Sequence, residues 1–320
     1  MKAIKALDII REMESFFKGI VQINKSLCGY TSIKIGGIAA LFLEPQSNID
    51  LGLVIQLFKL NNIPFRVIGN GTNLLIDDGR LEIAVIKLSS LFFKEILLKE
   101  NVLYLRGGVT LAQLLNFSIK NGISGFEFLA GIPGTVGGAL VMNAGVRNSL
   151  WAARVEESFL CVSDTLIELE VMDGQGEILK LTKSDAGFVY RGSKLNDLIV
   201  LGASFKIKKS TIKNVAELVK TFLKKRKMFQ PKCSRSAGCV FKNPPGGGIS
   251  AGELIEKSEL KGWRIGQAQV SEIHANFIIN QGKATFSQVC ELMDFVQSKV
   301  NQNFGVKLKP EIEIWNEQGL

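Results

Sequence analysis

Apolar residues recur at helical spacing in several parts of the chain. The segment SNIDLGLVIQLFKLNN is one of them, and Ser47 at its start is a suitable N-cap. Capping boxes, in which a Ser or Thr precedes a Glu or Gln by three residues, indicate further helices. These pairs are Thr110 with Gln113, Ser250 with Glu253, and Thr285 with Gln288. We therefore predict helices that begin at these four positions, each with one apolar face in the core.

Short apolar runs flanked by glycine or polar residues predict strands between the helices. The runs are FRVIG, LEIAVIKL, VLYLRGG, TLIELEVMD, LIVLGASFKI, HANFIIN and the terminal KPEIEIW. This mixture predicts the α+β fold class. We place a strand-rich first region at residues 1–207, with two α+β subdomains divided near residue 88, and a smaller α+β domain at 208–303. The last segment, 304–320, is predicted to be a strand that returns to the first region.

Length and composition change this picture little. The chain has 320 residues, of which 46% are hydrophobic, enough for two or three domains with cores of their own. Charged residues interrupt the N-terminal MKAIKALDIIREMESFFKGI, which therefore predicts an amphipathic surface helix rather than a signal peptide. No run approaches the roughly 20 apolar residues of a membrane-spanning helix. We expect a cytoplasmic protein with no membrane partner.

The cysteine and histidine content excludes several classes of site. The five cysteines are scattered, odd in number and free of any CxxC pair, which argues against a disulfide framework and a zinc site. We expect most of them to be small buried side chains. His274 is the single histidine, so a histidine metal cluster or a catalytic triad has almost nothing to build from. No metal site is predicted.

The net charge of +9 admits nucleic acid, acidic surfaces or small anions as partners. The densest basic run, 224–227, ends a predicted helix whose apolar stripe contains Val215, Leu218, Phe222 and Leu223. Cations suit the C-terminus of a helix, and no aromatic interleaving or nucleic-acid motif accompanies them. We therefore expect a solvated helix end and no nucleic-acid partner.

Two glycine-rich segments carry the first functional signal. VIGNGTNLL places a glycine turn after a predicted strand, where backbone N–H groups can converge on an anion, although Asn-Gly is also a common turn dipeptide. AGIPGTVGGALVMNAG is almost bare backbone, and neither segment fits a P-loop or a dinucleotide fingerprint. Together they favour close approach of a flavin and its diphosphate. The candidate cofactor residues are Gly69, Asn70, Gly71, Thr72, Asn73, Gly131, Pro133, Gly134, Thr135, Gly137, Gly138, Asn143, Ala144 and Gly145.

Seven motifs in a fixed order carry a family resemblance from about Thr31 to Trp315. They are TSIKIGG, VIGNGTNLL, GIPGTVGGALVMNAG, YRGSKL, SAGCVFKNP, LIEKSELKGWRIGQAQVSEIHANFIIN and KPEIEIW. In combination they resemble the UDP-N-acetylenolpyruvoylglucosamine reductases of peptidoglycan synthesis. The resemblance implies noncovalent FAD in a vanillyl-alcohol-oxidase-type (PCMH-type) fold, with NADPH as reductant and a third domain over the UDP-sugar. The tyrosine-bearing insertion of some members is absent, which implies the shorter subtype.

The resemblance also implies the reaction and its catalytic residues. UDP-N-acetylglucosamine enolpyruvate would be reduced to UDP-N-acetylmuramate. Arg191 in YRGSKL matches the arginine that binds the substrate carboxylate, a role suited to a planar guanidinium. Cys239, the last residue of SAGC, matches the proton donor, which is serine in many members. Without the motifs, Arg191 reads as a surface arginine and Cys239 as a structural thiol.

Glu311 in KPEIEIW matches the family's catalytic glutamate. Glu313 shares its face by strand periodicity, so the choice between them rests on the resemblance. Two carboxylates in one dry site repel, and we predict a raised pKa for Glu311. Lys242, Asn243 and Tyr190 are the candidate substrate contacts, the first two at the UDP moiety, although Tyr190 also fits a core position. For His274 we expect satisfied hydrogen bonds rather than catalysis.

Two other functions fit parts of the pattern. An FAD-dependent sugar or alcohol oxidase would use the same cofactor fold, but SAGCVFKNP and the glutamate of EIEIW speak against it. A non-catalytic nucleotide-binding module would explain the glycine loops and the basic charge, yet leaves Arg191, Cys239 and Glu311 without a role. We expect a monomer that binds only small molecules.

Overall fold

The computed structural model describes residues 3–147, 159–231, 235–246 and 248–316. The α-helices in these ranges are α1 (Ala3–Met13), α2 (Asn48–Leu60), α3 (Leu111–Lys120), α4 (Val136–Val141), α5 (Ile212–Phe229), α6 (Ala251–Lys257) and α7 (Phe286–Phe304). The amphipathic N-terminal helix expected from the sequence is α1. None of the helices in the described part of the chain is long and apolar enough to cross a membrane.

The helix starts confirm the capping predictions. Ser47 caps α2 by accepting a hydrogen bond from the Asp50 amide at 3.1 Å. Complete capping boxes open α3, α6 and α7 at the predicted pairs. In each box the two side chains satisfy two backbone N–H groups that have no acceptor within the first helical turn. Local sequence therefore determines where these helices begin.

Each predicted apolar run contains a strand, but two runs near the end of the chain differ from the prediction, and many further strands lie outside the predicted runs. The strands are β1 (Ile20–Ser26), β2 (Ile38–Glu44), β3 (Phe65–Val67), β4 (Leu74–Ile76), β5 (Arg80–Ile86), β6 (Ile96–Lys99), β7 (Val102–Arg106), β8 (Ile123–Ser124), β9 (Gly145–Arg147), β10 (Phe159–Cys161), β11 (Leu166–Met172), β12 (Ile178–Thr182), β13 (Ile199–Lys206), β14 (Lys208–Lys209), β15 (Phe241–Lys242), β16 (Arg264–Ile265), β17 (Ala268–Val270), β18 (Ile278–Asn280), β19 (Lys309–Pro310) and β20 (Glu313–Trp315). The HANFIIN run is a strand only over β18, and KPEIEIW is divided into β19 and β20.

The first compact unit comprises residues 1–23, 40–69 and 82–225. Its antiparallel five-stranded sheet has the order β12-β11-β13-β7-β6, and a second sheet has the order β1-β2-β5-β3. One hydrophobic core joins the five-stranded sheet to α3, α4 and α5, and another joins α1 and α2 to the second sheet. On α5, the expected apolar stripe is wrong at Leu218, which is 45% exposed, whereas Val219 is buried.

The second compact unit comprises residues 24–39, 70–81 and 226–320. Helices α6 and α7 and the sheet β16-β17-β18 share its core, and the predicted inward face of α7 is buried. β20 pairs in parallel with β4, with Trp315 opposite Ile76. The C-terminal strand thus reaches residues 74–76, and both strands belong to this unit. The domain borders at 88, 208 and 304 stay a prediction.

The cysteines are less buried than expected. Cys28 is exposed, and Cys161, Cys239 and Cys290 are half-buried. Cys233 lies outside the described residues. For the four described thiols, the expectation that most are buried is wrong, because each lies at or near the surface of its unit.

Candidate functional site

The first glycine turn follows β3, as predicted. The Lys87 ammonium donates a hydrogen bond to the Gly69 carbonyl at 2.6 Å. A Cβ atom on Gly69 would lie 2.7 Å from the Thr135 hydroxyl oxygen, which is closer than real Cβ contacts. Gly69 therefore places the turn directly against the second glycine segment, within the first unit.

The rest of this turn, from Asn70 through Thr72 to Asn73, belongs to the second unit. Gly71 has a φ of +58°, and a Cβ atom there would overlap the Tyr30 carbonyl oxygen. Its own carbonyl accepts a hydrogen bond from the Ser32 amide at 3.0 Å. Glycine is thus required by backbone conformation and by a close approach of two chain segments.

The second glycine segment turns sharply before it enters α4. Gly131 and Gly134, on either side of Pro133, have φ values of +76° and +141°. Thr135 caps α4, and its hydroxyl accepts a hydrogen bond from the Gly138 amide at 3.3 Å. These contacts and backbone angles define an ordered turn rather than a flexible linker.

The first two backbone amides of α4 donate hydrogen bonds to carbonyl groups of the protein itself. The Val136 amide donates to Val109 at 2.8 Å, and the Gly137 amide donates to Gly107 at 2.9 Å. A Cβ atom on Gly137 would lie 3.1 Å from the Gly107 carbonyl, whereas one on Gly138 would make ordinary contact. Packing thus accounts for Gly137, and room for a ligand is left at Gly138.

Asn143 is the strongest indication of a ligand in this segment. It has a φ of +43° and is 6% exposed. Its side-chain NH₂ donates to the Val189 carbonyl at 3.1 Å, but its buried Oδ1 has no hydrogen-bond partner among the described residues. Buried oxygens are rarely left without a donor. A ligand N–H or O–H group at this position would supply one.

Arg191 lies at the tip of a tight hairpin beside the same segment. The bridge between Val189 and Gly192 closes the hairpin, and Arg191 has a φ of +53°. The guanidinium Nη2 donates to the Gly145 carbonyl at 3.0 Å, and its carbon lies 5.4 Å from the centroid of the Tyr190 ring. Arg191 and Tyr190 are thus next to the Asn143-Ala144-Gly145 end of the glycine segment, with strain that is typical of functional sites.

The segments that carry Cys239 and Glu311 pair with each other in the second unit. β15 pairs antiparallel with β19, and the pairing continues beyond it, because the Glu311 amide donates to the Val240 carbonyl at 2.7 Å. Asn73 donates through its side chain to the Glu311 carbonyl at 3.2 Å. Gly238, immediately before Cys239, has a φ of +85°, and this angle sets the direction of the backbone at Cys239. The structure therefore brings two predicted catalytic residues to adjacent segments beside the first glycine turn.

Asn276 holds the strand that carries this pair. It is 3% exposed, and its amide side chain accepts from the Phe241 N–H at 2.9 Å and donates to the Phe241 carbonyl at 2.8 Å. The backbone N–H of Asn276 donates to Nδ1 of His274 at 3.2 Å. Burial lowers the pKa of His274. A hydrogen bond expected for His274 is thus present at Nδ1, and its lack of a catalytic role stays a prediction.

The remaining predicted residues have structural partners as well. Lys242 is half-buried and lies opposite Lys309 in the β15–β19 pair. The side-chain oxygen of Asn243 accepts from the Ala251 amide at 3.0 Å, which ties Asn243 to the first residue of α6. Glu313 accepts from the Trp315 indole at 2.8 Å. The choice of Glu311 over Glu313 stays a prediction that rests on the family motif.

Comparison with known proteins assigns the family. The family model for the C-terminal domain of UDP-N-acetylenolpyruvoylglucosamine reductase matches residues 230–315, and an FAD-binding domain model matches residues 39–182. A UDP-N-acetylenolpyruvoylglucosamine reductase of Caldanaerobacter subterraneus subsp. tengcongensis is 38% identical over 303 residues, covering 94% of this chain and 95% of the relative. The chain belongs to the UDP-N-acetylenolpyruvoylglucosamine reductase family.

Two further relatives support this membership. A reductase of the family from Desulforamulus reducens is 39% identical over 96% of this chain and 97% of its own length. The crystal structure of UDP-N-acetylenolpyruvylglucosamine reductase from Thermus caldophilus has a TM-score of 0.78 at 34% identity, with 94% of this chain and all of that chain covered. The predicted vanillyl-alcohol-oxidase-type α+β fold is confirmed, and the chain is an oxidoreductase and flavoprotein that binds FAD.

The family motifs did not lead us to every residue that contacts the first glycine turn. Our sequence analysis missed Lys87, which binds Gly69, and Ser32, which binds Gly71, although Ser32 lies within the quoted TSIKIGG motif. For Lys87 one signal was present, because a charged residue follows the apolar run IAVI. A lysine at the end of a buried strand has to direct its ammonium to water or to an acceptor.

Proposed function

We propose that this chain reduces the enolpyruvyl ether of UDP-N-acetylglucosamine to UDP-N-acetylmuramate with NADPH, as a step of peptidoglycan precursor synthesis. The observation that carries this proposal is the hydrogen bond from the Glu311 amide to the Val240 carbonyl, which joins the segment of Glu311 to the segment of Cys239 in a chain of this family. Nucleotide sugars and NADPH are metabolites of the cytoplasm, where we place the reaction.

The residues of both glycine segments fit FAD. Asn143 offers a buried oxygen that lacks a donor, and Gly138 leaves room at the backbone. We propose that these residues contact the flavin or its diphosphate, together with the turn from Gly69 to Asn73. Bound FAD would accept a hydride from NADPH and supply a hydride to the vinyl carbon of the substrate. The chain itself would hold the ring and exclude water.

We propose that Arg191 binds the carboxylate of the enolpyruvyl group. Reduction at the vinyl carbon leaves negative charge on the neighbouring carbon and its carboxylate, and a fixed guanidinium stabilises that charge as it grows. The hydrogen bond to Gly145 and the closed hairpin fix the direction of the Arg191 side chain in advance. Preorganised charge of this kind needs no rearrangement during the reaction.

We propose that Cys239 donates the proton that the neighbouring carbon takes up. A thiol has an ordinary pKa of about 8.5 and is a stronger acid than the serine hydroxyl of other members. We assign Glu311 to a hydrogen bond beside the substrate carboxylate, and Lys242, Asn243 and Tyr190 to the rest of the substrate. Lysine suits the diphosphate of UDP as a compact charge.

Absorbance of the flavin without oxygen tests this proposal. The purified protein should bleach on addition of NADPH and regain its absorbance on addition of the enolpyruvyl ether. Recovery with oxygen but not with the ether would indicate an oxidase. A protein that holds FAD but is not bleached by NADPH would contradict the proposed reductant.

A further inference from the structure

Lys87 is a half-buried cation beside the first glycine turn. It directly follows β5, and its amide donates to the Leu43 carbonyl at 2.8 Å, so its backbone is part of the second sheet of the first unit. Its ammonium donates to the Gly69 carbonyl at 2.6 Å. Burial lowers the pKa of Lys87, and the nearby Glu44 opposes this shift. Keeping an ammonium in this place costs solvation free energy that a neutral donor would not.

The hydrogen bond sets the orientation of the turn. Because a trans peptide is planar, its N–H points away from its carbonyl. The Gly69 carbonyl is directed to the ammonium, so the following N–H is directed to the opposite side. Gly69 also lies against Thr135, the cap of α4. Lys87 is therefore the charged side chain at the point where both glycine segments of the first unit meet.

Charged side chains of both signs act on the Lys87 ammonium. The neighbouring Glu44 carboxylate raises the pKa of Lys87, whereas Lys94 lowers it. Glu44 also accepts a hydrogen bond from the Ser89 hydroxyl, which holds its carboxylate in place. A lysine ammonium suits a diphosphate as a compact charge.

We propose that Lys87 is a positioning residue for the FAD diphosphate, which orients the Gly69 peptide and supplies positive charge where the two glycine segments meet. This inference rests on the proposed binding of FAD at these segments. It assigns to Lys87 two effects, hydrogen bonding and charge, that substitutions can separate.

The test is FAD affinity, measured by quenching of flavin fluorescence on titration of the full-length apoprotein. Lys87→Arg keeps the charge, Lys87→Gln keeps a neutral donor, and Lys87→Met keeps only the apolar stem. Hydrogen bonds to charged groups contribute enough for about tenfold or more in affinity. We expect Lys87→Arg to bind FAD within about threefold of wild type and the other two variants to bind about tenfold or more weakly. Lys94→Gln is the matched control and should bind like wild type.

Three outcomes would overturn the inference. Wild-type affinity of Lys87→Gln would show that charge is not needed. Equal losses in Lys87→Arg and Lys87→Met would show that Lys87 serves only packing, and urea unfolding of the apoproteins would show whether stability falls with them. Wild-type FAD affinity in all three Lys87 variants would show that Lys87 has no role in FAD binding. A wild-type chain that binds no FAD would instead refute the cofactor site itself, which is a different result.

Discussion

Replacing Asn276 with alanine removes both hydrogen bonds that hold the Phe241 peptide. Asn276 is 3% exposed, so the N–H and carbonyl groups of Phe241 would lose their partners in a buried place. Each buried polar group left unsatisfied costs about 1 to 3 kcal/mol, so two such groups predict a loss of about 2 to 6 kcal/mol in the free energy of unfolding. The second unit should bear this loss, because both residues belong to it.

Urea unfolding followed by tryptophan fluorescence measures this loss. In a Trp151→Phe background, the remaining indoles, Trp263 and Trp315, both report on the second unit. Asn303→Ala is the control, because Asn303 makes an exposed hydrogen bond to Ser258 at 3.2 Å, and its loss should stay within about 0.5 kcal/mol. If Asn276→Ala lost no more stability than Asn303→Ala, the clamp on Phe241 would not hold the strand.

Further predictions concern the cofactor, the proton donor and the histidine. Cys239→Ala should leave flavin bleaching by NADPH intact but slow the ether step about 100-fold or more, with rescue by Cys239→Ser; equal loss in both steps would refute its role. Gly71→Ala should fold poorly, because its Cβ would overlap the Tyr30 carbonyl at positive φ, which lowers the melting temperature. Gly138→Ala should melt like wild type yet bind FAD more weakly, since its Cβ meets only ordinary contacts with the protein; unchanged affinity would remove Gly138 from the site. His274, the single histidine, should titrate below its ordinary pKa of 6.5 in a proton NMR series. Because the folded pKa is the lower one, its contribution to stability is present above pH 6.5 and is lost as pH falls through the folded pKa; a midpoint at or above 6.5 would contradict this.

The residues that sequence analysis placed well are those whose partners are close along the chain. The capping pairs Thr110 with Gln113, Ser250 with Glu253, and Thr285 with Gln288 each span three residues, so the chain stretch itself contains the interaction. The inward face of α7 follows from helical periodicity alone.

The C-terminal run shows where periodicity fails. KPEIEIW alternates like one strand, but Glu311 and Ile312 separate β19 from β20. The two pieces pair with different partners, β15 and β4. A pattern within seven residues cannot indicate that its two halves pair with different, distant segments. For the same reason, a local sequence pattern does not reveal the contact between Asn276 and Phe241, which are 35 residues apart.

The glycines show which properties follow from the sequence and which follow only from the tertiary structure. By itself, the sequence determined the α+β class, the helix starts and, through its ordered motifs, the family and its FAD, because these depend on local patterns and residue identity. Only the tertiary structure decided that Gly71 and Gly137 are needed by neighbouring backbone, that Gly138 leaves room, and that Asn143 has a buried oxygen without a donor. The physical reason is that a missing side chain looks the same in the sequence whether protein or ligand fills the space.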